Sequence, residues 1–379
     1  MKIFLDNSAT TRPLSAVVEA MVVALVEGFG NPSSGHSLGR TAKAALSVAR
    51  DQVADFVSAD PDDIVFLSGA TEANDAVLRT AHDLDGRKLI STVAEHPSTH
   101  GVFASSPERV VIAPLLPSGE VDLERLDDAM RAAPGALLAM SWVNGETGVV
   151  QPVDDICRRA RKHNVSTLID GAQALGRLPA HDFDFDYDYL VLSAHKMNGP
   201  KGVGCLVLGD GVDCPQLAAG GGQEAGRRSG TENLPGIVGF GAACAERGKT
   251  LEADLKRLGD LRDILEAGLV HGVPGARING ATTRRVPTNT NVTFDGVDGM
   301  ALVARCDAAG VLFSQVSACS TGKPEPSKTL TAMGLDEAAA YSSARFSVSV
   351  MNTETDILHA VEVISREANV LREMFGRVA

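Results

Sequence analysis

Seven short apolar segments, several of them separated by helical runs, most constrain what this chain can fold into. IVFLS (64–68), KLISTV (88–93), RVVIA (109–113), ALLAMSWV (136–143), STLID (166–170), YLVLS (189–193) and VGCLVL (203–208) have strand length and are apolar nearly throughout. Helix-period runs such as VDDICRRARKH (153–163) intervene. Alternation of this kind predicts an α/β protein with a mostly parallel seven-stranded sheet, because parallel neighbours need crossovers and those crossovers cover both faces. Ligands of such sheets bind at the carboxyl ends of the strands, so the residues just past each strand carry the functional information.

Before this region, Pro13 opens an amphipathic run, LSAVVEAMVVALVEG (14–28), that stops at Gly28 and Gly30, and a second helical run covers 39–57. Past residue 235 the texture changes. Helical patterns at 236–250 and 252–270 lead to strand-like TNTNVTF (288–294), a polar loop (314–328), strand-like RFSVSV (345–350) and a closing helix (353–376). The expected organisation is a large domain over 13–255 and a smaller α+β domain built from 1–12 and 256–379.

Charge and cysteine usage remove several function classes. Thirty-five Lys+Arg against 48 Asp+Glu leave a net charge of −13, with no basic block, so neither nucleic acid nor an anionic membrane surface is an expected partner. No apolar run approaches the ~18–20 residues of a membrane span. The N-terminal stretch turns polar at Asp6, ahead of any signal-peptide core, so a cytoplasmic protein is expected. The six cysteines stand at 157, 205, 214, 244, 306 and 319, and no pair has the two-residue spacing of a zinc or iron–sulfur site. Four of them fall in apolar-periodic stretches that predict buried thiols. Cys214 and Cys319 lie in polar loops and are the candidates for chemistry.

The strand ends carry three distinctive features. Strand 64–68 runs into GATEAND (69–75), a turn opening a helix whose free amides suit a phosphate, although Ser68 or Thr71 could simply cap it. Neither GGGQEAG (220–226) nor AACAERGKT (242–250) meets the spacing of a dinucleotide or Walker loop. Strand 166–170 ends in Asp170, which has no companion at metal-ligand spacing. Lys196 follows strand 189–193 and precedes Gly199-Pro200, which puts its amine over the sheet edge, where desolvation makes it a nucleophile. A phosphate seat, a strand-end Asp and a strand-end Lys are together what pyridoxal 5'-phosphate requires: the lysine attaches it and the carboxylate keeps its ring nitrogen protonated. His96, after another strand at the same edge, is placed to cover the ring.

The motifs LDNSATT (5–11), GNPSSGHSLGR (30–40), IVFLSGATEAND (64–75), EHPS (95–98), VNGETG (143–148), IDGAQA (169–174), SAHKMNGPKGVG (193–204), GGGQEAGRRSGTEN (220–233), VSACSTG (316–322) and ARFSVS (344–349) together resemble a cysteine desulfurase of the class-V aminotransferase group, among the fold-type-I pyridoxal phosphate enzymes. The resemblance covers nearly the whole chain in order. It implies that Lys196 holds the cofactor, Asp170 pairs with its ring nitrogen, His96 stacks on the ring, and Asn144 and Gln173 hydrogen-bond its phenolic oxygen. Ala70, Thr71, Ser193 and His195 would bind the phosphate, and Thr231 would reach the phosphate of the other subunit of a homodimer. Arg345, with Asn31, would grip the carboxylate of L-cysteine, which a guanidinium fork suits better than the alternative of a structural ion pair. Cys319 would take the sulfur as a persulfide, L-alanine would leave, and the sulfur would pass to an acceptor protein. An iron–sulfur scaffold is one such acceptor, with Cys319 then a candidate shared cluster ligand.

Departures from the family pattern stand at the nucleophile and in three other motifs. Val316 stands where glycine is usual, NGETG (144–148) replaces NNEIG, DGAQ (170–173) replaces DAAQ, and Met197-Asn198 replaces an aromatic or histidine. The sequence ends soon after its last helix, without the tail by which housekeeping members dock a scaffold, so the acceptor is left unnamed. A selenocysteine lyase, another class-V pyridoxal enzyme, or a slow homologue serving as a sulfur-delivery or regulatory partner are the alternatives.

Overall fold

The structure is a computed structural model that describes residues 2–104, 107–215, 217–315 and 326–376. In chain order its strands are β1 (Ile3–Phe4), β2 (Ile64–Leu67), β3 (Leu89–Thr92), β4 (Val110–Ala113), β5 (Leu137–Ser141), β6 (Ser166–Asp170), β7 (Tyr189–Ser193), β8 (Gly204–Leu208), β9 (Ala276–Ile278), β10 (Asn289–Phe294), β11 (Val311–Leu312) and β12 (Ser343–Ser347). Its α-helices are α1 (Ser15–Val26), α2 (Ser37–Val57), α3 (Ala70–Arg79), α4 (Pro97–Phe103), α5 (Leu123–Ala132), α6 (Val153–Lys162), α7 (Leu234–Gly272), α8 (Gly299–Ala308), α9 (Lys328–Ala332), α10 (Glu337–Tyr341) and α11 (Glu354–Gly376).

All seven expected strands join one sheet of order β2-β8-β7-β6-β5-β3-β4, parallel except for β8, which is antiparallel to both neighbours. Burial on two faces explains their continuous apolar character. Ile64 and Phe66 of β2, with Cys205 and Val207 of β8, pack with α2 and α7 on one face. Val65, Leu67, Leu206 and Leu208 turn the other way and pack with Val77 and Leu78 of α3. At about 25 cal/mol per Å2, such two-sided burial dominates the stability of the sheet.

The C-terminal part builds a three-stranded antiparallel sheet, β12-β10-β9, and β1 pairs in parallel with β11. Its core gathers Ile3 and Leu5 with Val292, Phe346 and the α11 residues Ile357 and Ile364. Three details differ from the sequence reading. The patterns at 236–250 and 252–270 are one helix, α7, of 39 residues. No proline interrupts it after Pro235, and its buried side chains pass from the first core at Leu251 to the second at Leu258. The last strand occupies 343–347 rather than 345–350. Leu330 of α9 and Met333 just past its end pack with Ile90, Met130 and Ile156, so this segment leans on the large sheet.

Helix α1 is not amphipathic as its sequence suggested. Only Val17 and Ala24 are buried, while Val18, Val22, Val23, Leu25 and Val26 face outward, Val26 at 67% exposure and the following Phe29 at 69%. A helix that is apolar all round belongs in an interior or an interface. Among the described residues no helix is long and apolar enough to cross a membrane.

Candidate active site

The carboxyl ends of β2, β3, β5, β6 and β7 meet at one edge of the large sheet, where a cavity of about 510 Å3 opens. Its walls include Ala70, Thr71, His96, Asn144, Asp170, Gln173, Ser193, His195, Lys196 and Arg345, so the structure brings ten of the sequence-assigned residues together.

At the end of β2, Gly69 is the N-cap of α3 with φ +155° and ψ −179°, a backbone state open essentially to glycine. A Cβ added there would meet nothing within 4 Å, and no side chain caps the helix. Neither Ser68 nor Thr71 therefore spends its hydroxyl on the cap, and the first-turn amides with the positive end of the helix dipole suit a bound anion.

Past β3, His96 caps α4: its Nδ1 accepts from the Ser98 amide at 3.1 Å. A neutral ring then carries its proton on Nε2. Ser98 Oγ lies 2.8 Å from that Nδ1 and accepts from Asn74 Nδ2, which also donates to Asp170 Oδ2 at 2.7 Å. Asp170 Oδ1 accepts from the Ala172 amide at 3.0 Å. Both carboxylate oxygens are thus oriented by amide donors at the tip of β6.

Lys196 sits in the short turn after β7, and its Nζ donates to the carbonyls of Ser8 and Ala9 at 2.6 and 2.9 Å. The N-terminal segment therefore covers the lysine, which is no solvated surface group. Beside it, burial foremost, then Lys196, Lys201 and Arg177, push the pKa of His195 down to about 4, so the ring is neutral at pH 7. Asn144 Oδ1 accepts from the amides of Glu146 and Thr147 at 3.0 and 2.9 Å, and its Nδ2 donates to the carbonyl of Ala94, another residue of the cavity wall, at 3.4 Å.

Arg345, on β12, is 4% exposed. Its Nη2 meets Asp6 Oδ1 at 2.7 Å, its Nη1 donates to the Gly145 carbonyl at 3.2 Å, and its Nε is buried without a hydrogen-bond partner. The structural ion pair weighed in the sequence is present, and the orphaned Nε still leaves the guanidinium able to take a carboxylate.

Two sequence-assigned residues do not reach this cavity in the single chain. Asn31 is exposed, its Oδ1 accepts from the Ser33 amide at 2.9 Å, and it is outside the cavity wall. Thr231 is exposed and outside the cavity wall. Cys319 and Val316 lie outside the described residues.

Three carboxylates that sequence reasoning left unassigned line the same wall, Glu72, Glu95 and Glu146. Glu95 accepts from Thr92 Oγ1 at 2.7 Å and from the Ser141 amide at 2.6 Å, yet burial pushes its pKa up to about 7. Burial also raises Glu146, whose Oε2 accepts from Ser327 Oγ at 2.5 Å. Their positions, five residues past β2, three past β3 and five past β5, were the available signal.

Uncapped helix amides, the lysine amine and the orphaned guanidinium nitrogen make the cavity a receptor for anionic groups, with Asp170 as the acceptor for one protonated ring nitrogen. This donor set fits pyridoxal phosphate, and the cavity volume lies within the ~300–1,000 Å3 of small-molecule sites.

The family model for aminotransferase class-V matches residues 3–359. A cysteine desulfurase of Trichormus azollae is 37% identical over 377 residues, covering 98% of this chain and 94% of the relative. Among solved structures, a NifS-like protein superposes with a TM-score of 0.89 at 32% identity, covering 98% of this chain and all of that one. SspA in complex with cysteine does so with a TM-score of 0.75 at 29% identity, covering 92% and 99% of the two chains. With the fold, the cavity and these likenesses in agreement, the chain belongs to the class-V aminotransferase family and, within it, to the cysteine desulfurases.

Proposed function

We propose that this protein is a pyridoxal-phosphate-dependent cysteine desulfurase that converts L-cysteine to L-alanine and takes the sulfur onto Cys319. The observation that carries this reading is the convergence of Lys196, Asp170, the uncapped start of α3 and Arg345 on one cavity. When bound, pyridoxal phosphate supplies an electron sink for charge left on the substrate α-carbon.

The chain's own residues do the rest. The amides of Ala70 and Thr71, with Ser193 and neutral His195, bind the phosphate. Asp170, oriented by Asn74 and Ala172, would hold the ring nitrogen, His96 would cover the ring, and Asn144 and Gln173 would donate to its phenolic oxygen. Arg345 fixes the substrate carboxylate. The Nζ of Lys196, where the cofactor would attach, would also serve as the base that carries the substrate α-proton. The Cys319 thiolate then bonds to the substrate sulfur as the substrate's Cβ–S bond breaks. The carbon fragment keeps that electron pair and, once protonated, leaves as alanine. Overall, one thiol and one cysteine give one persulfide and one alanine, with no external oxidant.

Substrate recognition is tested through Arg345. Each charge-assisted bond it makes is worth about 1.5–3 kcal/mol, so Arg345→Ala should raise KM for L-cysteine roughly 10–100-fold with a smaller change in kcat. Steady-state alanine release from purified, reconstituted protein measures both. An unchanged KM would leave Arg345 as a structural partner of Asp6 alone, and no alanine from the unaltered protein would sink the desulfurase reading.

The acceptor of the persulfide is a second protein, of which an iron–sulfur scaffold is one candidate among others, and the reducing cytoplasm is the compartment where such thiol chemistry persists. The working unit is a homodimer in which Thr231 of one subunit completes the phosphate site of the other. The outward apolar face of α1, continued by Phe29, supports this reading. Placing two charges there, as Val22→Glu with Val26→Glu, should yield a monomer with weaker cofactor retention. Light scattering during size-exclusion chromatography decides it: a monomeric unaltered protein would remove the dimer, and a dimeric variant would place its interface elsewhere.

A further inference from the structure

Arg177 is a cation buried without a carboxylate. It is 3% exposed, and among the described residues it takes part in no ion pair. Its contacts are neutral acceptors: Nη1 donates to Gln173 Oε1, to Ser8 Oγ at 3.3 Å and to Asn289 Oδ1 at 3.4 Å, and Nη2 donates to the Asn7 carbonyl at 2.8 Å. Burial, helped by Arg345, pulls its pKa down to about 9, so it remains charged at neutral pH. Asp6, an acid of the same N-terminal segment, is committed to Arg345. Buried charges are ordinarily paired, because an uncompensated one costs several kcal/mol.

The guanidinium has no acceptor atom, so the Gln173 atom facing it must be Oε1. The amide nitrogen is then turned to the other side, where it donates to the Ser8 carbonyl at 3.0 Å. That carbonyl also receives Lys196 Nζ. Gln173 lines the cavity, and Arg177 stands behind it.

We propose that Arg177 is a positioning residue for the cofactor: it locks the Gln173 amide with its N–H side toward the cavity and holds behind it a positive charge that the anionic phenolic edge of the bound cofactor compensates. The proposal rests on the pyridoxal phosphate reading of the site. It separates from a merely structural role, in which Arg177 only ties Asn7 and Ser8, the turn after β6 and β10 together.

Asn289→Asp makes the distinction. Asn289 Nδ2 is buried without a partner, so replacing it with oxygen forfeits no hydrogen bond while placing a carboxylate on Arg177 from the side away from the cavity. The full-length protein, stripped and reloaded with pyridoxal phosphate, is measured for cofactor affinity, visible absorption maximum and thermal unfolding of the stripped form. Asn289→Asp and Arg177→Gln are both expected to weaken cofactor binding about tenfold or more and to shift the absorption maximum, with Arg177→Lys in between. Asn289→Asp should leave unfolding of the stripped form unchanged or raise it. Wild-type affinity and absorption in Asn289→Asp overturn the proposal, whatever happens to stability, and this variant decides alone if Arg177→Gln does not fold. An unaltered protein that takes up pyridoxal phosphate without any visible band would instead overturn the underlying site reading.

Discussion

Lys196→Ala should lose the yellow colour of the loaded enzyme and release alanine from L-cysteine roughly 1,000-fold more slowly or worse, since both covalent attachment and proton transfer depend on one amine. Lys196 Nζ is held by the Ser8 and Ala9 carbonyls at the tip of β7, above the sheet edge that also presents Asp170. The structure adds a control that the sequence did not suggest. Lys201 also lines the cavity, although its side chain is exposed. Borohydride reduction of the loaded protein should therefore fix the cofactor on the peptide bearing Lys196, and Lys201→Ala should keep colour and turnover. Label on Lys201, or a Lys196→Ala protein releasing alanine at the unaltered rate, would show that the wrong lysine was chosen.

What was legible in the sequence follows from where each physical cause lies. The seven strands were readable to within about two residues because two-sided burial writes an apolar run directly into the chain, as in β2 and β8. Lys196 and Asp170 were readable because a charged residue directly after such a run has little choice but the sheet edge. The phosphate seat needed the structure, since only the backbone of Gly69 shows that no hydroxyl caps α3. Arg177 was invisible: within GAQALGRLPA (171–180) it reads as a surface cation, and its burial comes from Asn7 and Asn289, respectively 170 and 112 residues away. Glu95 and Glu146 stood inside quoted motifs, yet their roles depend on Ser141 and Ser327, which no local pattern links to them. The outward face of α1 was misread because helical period alone does not tell a core from a subunit interface.

Cys319→Ser should retain cofactor and colour, form no protein persulfide on incubation with L-cysteine, and release alanine roughly 100-fold more slowly or worse, because the sulfur has no nucleophile to accept it. The alternative thiol weighed in the sequence was Cys214. Burial pushes its pKa up to about 11 and its Sγ lies 3.3 Å from the Pro215 carbonyl, outside the cavity wall, so at neutral pH it is overwhelmingly the unreactive thiol. Cys157, Cys205, Cys244 and Cys306 are buried, and burial raises each of their pKa values in the same direction. The described residues on either side of Cys319 approach the site. The Ser314 and Arg345 main chains bond to each other, the Arg345 amide donating to the Ser314 carbonyl at 2.7 Å, and Ser327 donates to Glu146 of the cavity wall. The chain thus reaches Arg345 of the cavity wall before Cys319 and Glu146 of the same wall after it. Intact-mass and peptide mass spectrometry after a short incubation with L-cysteine locate the added sulfur. A persulfide on Cys214 in the unaltered protein, or one that survives Cys319→Ser, would move the nucleophile elsewhere while leaving the roles of Lys196 and Asp170 untouched.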